Sequence, residues 1–513
     1  MNNRTFYITT PIYYVNAAPH IGTAYTTLVC DVIARFKSLE GYEVKFLTGT
    51  DEHGQKVEKA ANDADLTPHE FVDKMSEKFR FLARKINATN NDFIRTTEPR
   101  HYASAKAFWN KLKENGHIYL GEYAGWYSVR DESFYSETEL VNGKAPTGAD
   151  VQWISESSYF FDLSKWQDKL LEFYKNNPSF VMPKWRFNEV IKFVESGLHD
   201  LSVSRTTFKW GIPIPGDDDH VMYVWLDALT NYISALGYPN VNAEDFKKFW
   251  PVDVHMVGKD ITKFHAIYWP AFLMAADLPV PKQIVSHGWW LNGGEKISKS
   301  LGNVIDPLEL IERYGLDQFR YYFMREMSFG NDGNFTYESF ISRTNSDLAN
   351  KLGNLVQRTL SMIYKNCNQA IPQIRGDQLS ELYKSTPLLI AAAELFEKIK
   401  AEFDLYEFHK ALEFIFHFVD DINAYIDTNA PWELRKSNQE MMEKVLYVVL
   451  EAVRYAAILL LPFIPDSANN ILEQIKVPMD QRTFECLNMK FALKSQAIQA
   501  PVAVFPRIED DHS

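Results

Sequence analysis

Two short motifs carry residues that could work on phosphate. Pro19-His-Ile-Gly-Thr23 stands where a turn-rich run, Pro11 to Pro19, gives way to helical spacing. The free N–H groups and positive dipole end of that helix would face an anion. There His20 would add a donor, Gly22 would let a ligand approach the backbone, and Thr23 would add a hydroxyl. Much later comes Gly293-Gly-Glu-Lys-Ile-Ser-Lys-Ser300, a glycine-flanked loop with Lys296 and Lys299 three apart. Such a loop can close over a triphosphate, and lysines set against charge developing on a leaving pyrophosphate would lower the barrier electrostatically. Each motif alone is ambiguous, since a His or Thr often only caps a helix and a basic loop is often only solvated.

The elements that must position these residues read as strand, loop and helix. Thr5 to Thr10 alternates, and Gly22 to Phe36 places Leu28, Val29, Val32, Ile33 and Phe36 on one helical face. Glu43-Val-Lys-Phe-Leu47 is a second strand running into Thr48-Gly-Thr-Asp-Glu-His-Gly54, with further strands at 253–257 and 283–286. Strands alternating with helices predict a parallel α/β sheet of Rossmann type, whose ligands bind beyond the carboxyl ends of the strands. Between about 115 and 215 the sequence turns aromatic and turn-rich, as in Tyr119-Leu-Gly-Glu-Tyr-Ala-Gly-Trp-Tyr127, and the sheet pattern resumes only at Val221. That predicts an inserted domain. From about 340 to 475 the period is helical, which predicts an all-α helix bundle.

Three segments follow or flank these strands: Ile12 with Tyr14, Trp225-Leu-Asp-Ala228 with Tyr232, and Gly258-Lys-Asp-Ile-Thr-Lys-Phe-His265 with Trp269. They supply several aromatics, one histidine and few charges, a lining that suits a soft, unbranched thioether better than an acidic or basic group. In the helical half, Asn350, Asn354 and Arg358 are spaced to stack on one helix face, with Leu348, Leu352, Leu355 and Thr359 on the other.

In this order and at sheet-edge loops, the two motifs resemble the HIGH and KMSKS signatures of class I aminoacyl-tRNA synthetases, with Thr23 and Ile297 as departures. The pocket segments as a set resemble the methionine-specific family across nearly the whole chain. That resemblance implies ATP-dependent activation of L-methionine to methionyl-adenylate, with Mg2+, and transfer to tRNA(Met), initiator and elongator. By the same resemblance His20, Gly22, Thr23, Lys296, Ser298 and Lys299 bind ATP, and His20, Thr23, Lys296 and Lys299 stabilise the reacting charge. Ile12 N–H and the Tyr232 hydroxyl would meet the thioether sulfur, and Asp51 the ammonium. Tyr14 belongs to the same set, and Trp225, Ala228, Ile261, His265 and Trp269 would wall the pocket. Leu229 stands where a proline is common in relatives. Asn350, Asn354 and Arg358, with Trp432 in Asn429-Ala-Pro-Trp432, resemble the anticodon-reading residues, and amides with an exposed indole suit unstacked bases.

The family often carries a zinc knuckle of two cysteine pairs in its insertion. Here the matching positions are Ser128, Asp131, Ala145 and Gly148, which lack thiolate and imidazole, so no structural zinc is expected. The branched-chain sister enzymes resemble this chain less, because their editing insertion is much larger, and the cysteine enzyme binds substrate through zinc. The expected divisions are a catalytic domain in two halves, 1–114 and 217–285, around a connective insertion at 115–216. A lysine-loop and stem-contact region at 286–340, an anticodon domain at 341–480 and a C-terminal extension at 481–513 follow.

Bulk properties bound the rest. The 513 residues suggest about two to four domains. The three cysteines, Cys30, Cys367 and Cys486, lie far apart, which predicts neither a disulfide framework nor a cysteine metal cluster. No targeting segment is expected before the first strand, and the apolar run Val445 to Pro465 contains Glu451, Arg454 and Pro462, so no membrane span is expected. A cytoplasmic monomer is the expectation. A net charge of −13 means that any tRNA contact must use local patches.

Overall fold

The computed structural model describes residues 4–131, 133–135, 137–297 and 303–509. The chain folds into two compact units, each assembled from separate stretches. One comprises Thr5–Pro19 and Val44–His287, the other Met1–Arg4, His20–Glu43 and Gly288–Ser513.

The first unit is built on a sheet whose strands are β1 (Thr5–Thr9), β2 (Glu43–Asp51), β3 (Asp92–Arg95), β4 (Val181–Met182), β5 (Val254–Gly258) and β6 (Ile284–His287). Their order is β3-β2-β1-β5-β6-β4, with the short strand Tyr13–Tyr14 also paired to β2. The pairs β1–β5, β5–β6, β6–β4 and β2–β3 are all parallel. Buried runs such as Phe6-Tyr-Ile8 and Met256-Val257 explain why these strands lie inside, since parallel strands are covered on both faces. Strand order reverses direction between β1 and β5, and at such a switch the loops beyond the carboxyl ends form a crevice. The helices Pro99–Glu114 and Val224–Ser234 pack on one another, and Trp109, Phe272 and Trp269 fill one continuous core with the inner strands.

The inserted segment forms a four-stranded antiparallel sheet, ordered Ser133–Tyr135, Ile118–Ser128, Gln152–Phe161 and Leu201–Ser202. Two details differ from the sequence reading. The two-residue β4 lies inside the segment read as inserted, yet it pairs with β6 in the main sheet. It is too short to show a period. Val221 belongs to a small antiparallel sheet with Ser204–Arg205 and Pro213–Ile214, so it does not mark the return of the main sheet.

In the second unit, the helix Ile21–Leu39 is buried over nearly its whole length, from Ile21 to Phe36, rather than along one face. Its polar groups are therefore paired. Asp31 accepts from Arg35 at 2.8 Å and from fully buried Arg320 at 2.7 Å, and Arg320 also donates to the carbonyls of Phe463 and Pro462. Phe36 stacks on Phe403 at 3.8 Å between centroids and leans on Phe484. Aromatic pairs of this kind add about 0.5–1.5 kcal/mol each beyond burial. Long helices, among them Pro387–Asp404, Phe408–Asn429 and Gln439–Leu460, complete an all-α bundle. Val445 to Leu460 is a buried core run, with Glu451 and Arg454 paired inside it at 2.6 Å. Among the described residues, no helix is long and apolar enough to cross a membrane.

Candidate active site

Tyr232 centres an aromatic cluster of the first unit, with the rings of His255, His265 and Trp269 around it. It is held from behind by the Tyr7 hydroxyl, which donates to the Tyr232 carbonyl at 3.0 Å. Its own hydroxyl lies 2.7 Å from Nε2 of His265, and His265 Nδ1 lies 3.1 Å from the Ile261 carbonyl. A carbonyl only accepts, so Nδ1 carries the hydrogen and the Tyr232 hydroxyl donates to Nε2. Burial pushes the His265 pKa down to about 4, which keeps the ring neutral near pH 7. Ile12, Trp225 and Ile261 pack on the core cluster that contains Tyr232 and Trp269, and Ala228 lies one turn before Tyr232 on the same helix. The indole of Trp225 stacks on Phe264 at 3.6 Å.

Two expected members stand differently. Tyr14 packs with Val15, Val57 and Phe79 in a separate small cluster, although its backbone pairs with Asp51. The Tyr232 hydroxyl, which the resemblance directs at a thioether, donates to His265. Asp51 ends β2 and is 7% exposed. Sequence reasoning missed the neighbouring group entirely: Asp227 receives His53 Nδ1 at 2.6 Å and His101 Nε2 at 2.7 Å, all three buried.

In the second unit His20 is the N-cap of the helix Ile21–Leu39, and its Nδ1 accepts the Gly22 N–H at 3.0 Å. That bond leaves the hydrogen of the neutral ring on Nε2. A Cβ at position 22 would sit 2.9 Å from the imidazole, so the cap requires glycine there. The helix's first turn contains no acidic residue, which leaves its positive end uncompensated from within, and Thr23 is buried in that turn. Tyr25 meets Trp290 edge-on at 5.7 Å. Trp290–Asn292 pairs antiparallel with Glu295–Lys296 across Gly293 and Gly294, both at positive φ as a tight hairpin demands. Asn292 Nδ2 donates to the Asn303 carbonyl at 2.9 Å, tying together the two ends of the lysine loop. Ser298 and Lys299 lie outside the described residues.

The knuckle positions are joined by hydrogen bonds. The Asp131 carboxylate accepts from Thr147, from Tyr135 at 3.0 Å and from Arg130 at 3.3 Å, and the Asp131 N–H donates to Ser128 at 3.2 Å. Burial raises the Asp131 pKa, but these donors outweigh it and hold the carboxyl below its usual value. Ala145 and Gly148 belong to the second turn, where the Gly148 N–H donates to the Ala145 carbonyl at 2.8 Å.

The polar stripe starts in a π-helical stretch, Thr344–Gly353, and continues in the α-helix Asn354–Asn366. The 3.6 period assumed from sequence therefore holds only from Asn354 onward. Gly353 lies against Phe505 of the C-terminal segment, and Asn345 exchanges two hydrogen bonds with Ile508. Asn350 and Asn354 are exposed, while Arg358 is held by Asp427 at 2.8 Å and Asn423 at 2.9 Å. Trp432 is 40% exposed on the short helix Pro431–Ser437, after a left-handed Ala430 ends the preceding helix.

The parallel sheet of the first unit and, in the second, the capped helix and the lysine hairpin are features of a class I tRNA synthetase. The family model described as tRNA synthetases class I (M) matches residues 6–152 and 135–360, and that of the anticodon binding domain of methionyl tRNA ligase matches 381–513. The methionine–tRNA ligase of Rickettsia bellii is 56% identical, covering 99% of this chain and 100% of its own, and that of Brucella suis is 51% identical over 99% and 98%. Mycobacterium tuberculosis methionyl-tRNA synthetase bound by methionyl-adenylate superposes with a TM-score of 0.93 at 45% identity, over 98% of this chain and 100% of that one. The chain belongs to the methionyl-tRNA synthetases.

Proposed function

We propose that Tyr232, His265 and Trp269, with Ile12, Trp225, Ala228 and Ile261, take the side chain of L-methionine, and that Asp51 and Tyr14 serve its amino-acid end. The observation that carries this reading is the neutral Tyr232–His265 pair inside an aromatic wall. A pocket without a fixed charge next to the thioether excludes acidic and basic side chains by desolvation alone. The methionine carboxylate then attacks the α-phosphorus of ATP, giving methionyl-adenylate and pyrophosphate, after which the terminal ribose hydroxyl of tRNA(Met) takes the methionyl group.

Positioning and electrostatics supply the rate in this scheme. His20 and the helix end behind it, Gly22, Thr23, Lys296, Ser298 and Lys299 serve the ATP phosphates. Among the described residues no group of three or more His, Cys, Asp or Glu is set to hold a metal. Mg2+ is assigned to the triphosphate, which it usually accompanies. The insertion is proposed to be zinc-free, with Asp131 bonded across the knuckle. Asn350, Asn354, Arg358 and Trp432 are assigned to the anticodon of initiator and elongator tRNA(Met), and the protein is taken as a cytoplasmic monomer. The domain limits at 114, 216, 285, 340 and 480 belong to the same reading.

The test is methionine-dependent pyrophosphate exchange with Tyr232→Phe and Asp51→Asn. Both should raise KM for methionine and leave KM for ATP near wild type. An unchanged methionine KM in both would remove the pocket assignment.

A further inference from the structure

The helix that carries Trp225, Ala228 and Tyr232 also carries Asp227, whose carboxylate sits in a polar row that is buried except at Tyr102. His53 donates to one oxygen at 2.6 Å and His101 to the other at 2.7 Å. The row continues at both ends: Tyr102 lies 3.1 Å from His53 Nε2, and the Ser234 hydroxyl lies 3.2 Å from His101 Nδ1. His53 stands two residues beyond Asp51, His101 and Tyr102 lie on the helix Pro99–Glu114, and Asp227 and Ser234 lie on Val224–Ser234. The row therefore crosses three elements, two of which hold opposite ends of the proposed methionine pocket.

Packing stability alone does not require a carboxylate there. Burying a carboxylate costs several kcal/mol before its partners offset that, and the same helices already bury Leu226, Leu229, Ile233, Phe108 and Leu112 around this point. An apolar residue at 227 would serve packing as well. What the carboxylate adds is direction: one oxygen ties the helix to His53 beside the Asp51 turn and the other ties it to His101 on Pro99–Glu114, so the helix is held from two elements at once. Apolar packing alone tolerates slippage that bidentate hydrogen bonding does not.

We infer that Asp227 is a positioning residue, which through His53 fixes the spacing between the ammonium-binding Asp51 and the side-chain pocket at Tyr232. This rests on the methionine assignment above. Methionine spans that distance with an unbranched chain, so a shift of the helix separates the two contacts from one substrate while leaving each intact. The brace thus makes the pocket a gauge of substrate length between its ammonium and its thioether.

The experiment is pyrophosphate exchange with the full chain carrying Asp227→Asn, His53→Ala or His53→Asn, together with thermal melting of each. Asn at 53 keeps a donor near the place of Nδ1, whereas Ala keeps none. Asp227→Asn and His53→Ala should raise KM for methionine about 10-fold or more, with KM for ATP and kcat within about threefold, as expected when ground-state positioning of one substrate is lost. His53→Asn should recover most of the loss. A wild-type methionine KM in Asp227→Asn overturns the inference. So does an equal rise in both KM values, or a His53→Asn no better than His53→Ala, because these are the marks of a merely structural role. Asp51→Asn is run beside them: an unchanged methionine KM there defeats the Asp51 assignment, whereas the brace is judged from positions 53 and 227.

Discussion

On the proposed role of the lysine loop, Lys299→Ala is expected to slow adenylate formation by about two or more orders of magnitude while methionine KM stays near wild type, as for a charge used mainly in the transition state. Single-turnover formation of the adenylate measures this, and an equal loss of ground-state methionine binding would show that the loop is misassigned. Asp227 offers a second residue-scale measurement. Burial raises its pKa, yet His53 and His101 outweigh burial and bring it down to about 2. A carboxyl depressed in the folded state gives stability that is present above its unfolded value near 4 and is lost as pH falls toward 2. Urea midpoints between pH 5 and pH 2 should therefore fall more steeply for the wild type than for Asp227→Asn, and parallel curves would refute the pairing. The two motifs proposed to serve ATP stood out in the sequence because each keeps its residues within a few positions. Asp227, His53 and His101 were not, although two of them sit in quoted segments, because a tertiary hydrogen bond leaves no period in the sequence.

Among the elements, the helix around Trp432 makes a prediction that separates two reactions. Its half-exposed indole can stack on an unpaired base, a contact worth roughly 1–3 kcal/mol. Trp432→Ala should lower kcat/KM for tRNA by roughly 10–200-fold, at about 1.4 kcal/mol per decade. Pyrophosphate exchange, which needs no tRNA, should stay near wild type. Equal damage to both reactions would make Trp432 a packing residue. The knuckle predicts a composition: elemental analysis should find no stoichiometric zinc, and activity should survive EDTA once excess magnesium is restored. Asp131→Ala should instead loosen the turns, read as faster proteolysis around residues 128–148. Helices and strands of ordinary length were legible from period, as β1, β2 and the long bundle helices attest. The π-helical stretch Thr344–Gly353 was not, because its apolar positions fit a 3.6 spacing well enough to pass for an ordinary turn, and the docking of Phe505 and Ile508 joins segments with no local signal.

At the scale of the whole molecule, the catalytic sheet and the bundle were both foreseeable from the change of period near residue 340, but the division of the chain was not. The sequence reads as a catalytic domain in two halves around an insertion, with the remaining regions following in succession. The second unit instead takes His20–Glu43 from near the start and joins it to everything after Gly288. The helix Ile21–Leu39 finds Arg320, Phe403 and Phe484 only there. That arrangement sets a clock on the ribosome. At a synthesis rate of roughly 5–20 residues per second, this apolar helix emerges and then waits tens of seconds for the partners that bury Asp31 and Phe36. A stalled nascent chain ending near residue 290 should be cut by protease within 21–39, and one extended through residue 490 should resist. The segment that His20 caps is thus among the first made and among the last to find its place, which makes it the natural client of whatever shields emerging chains.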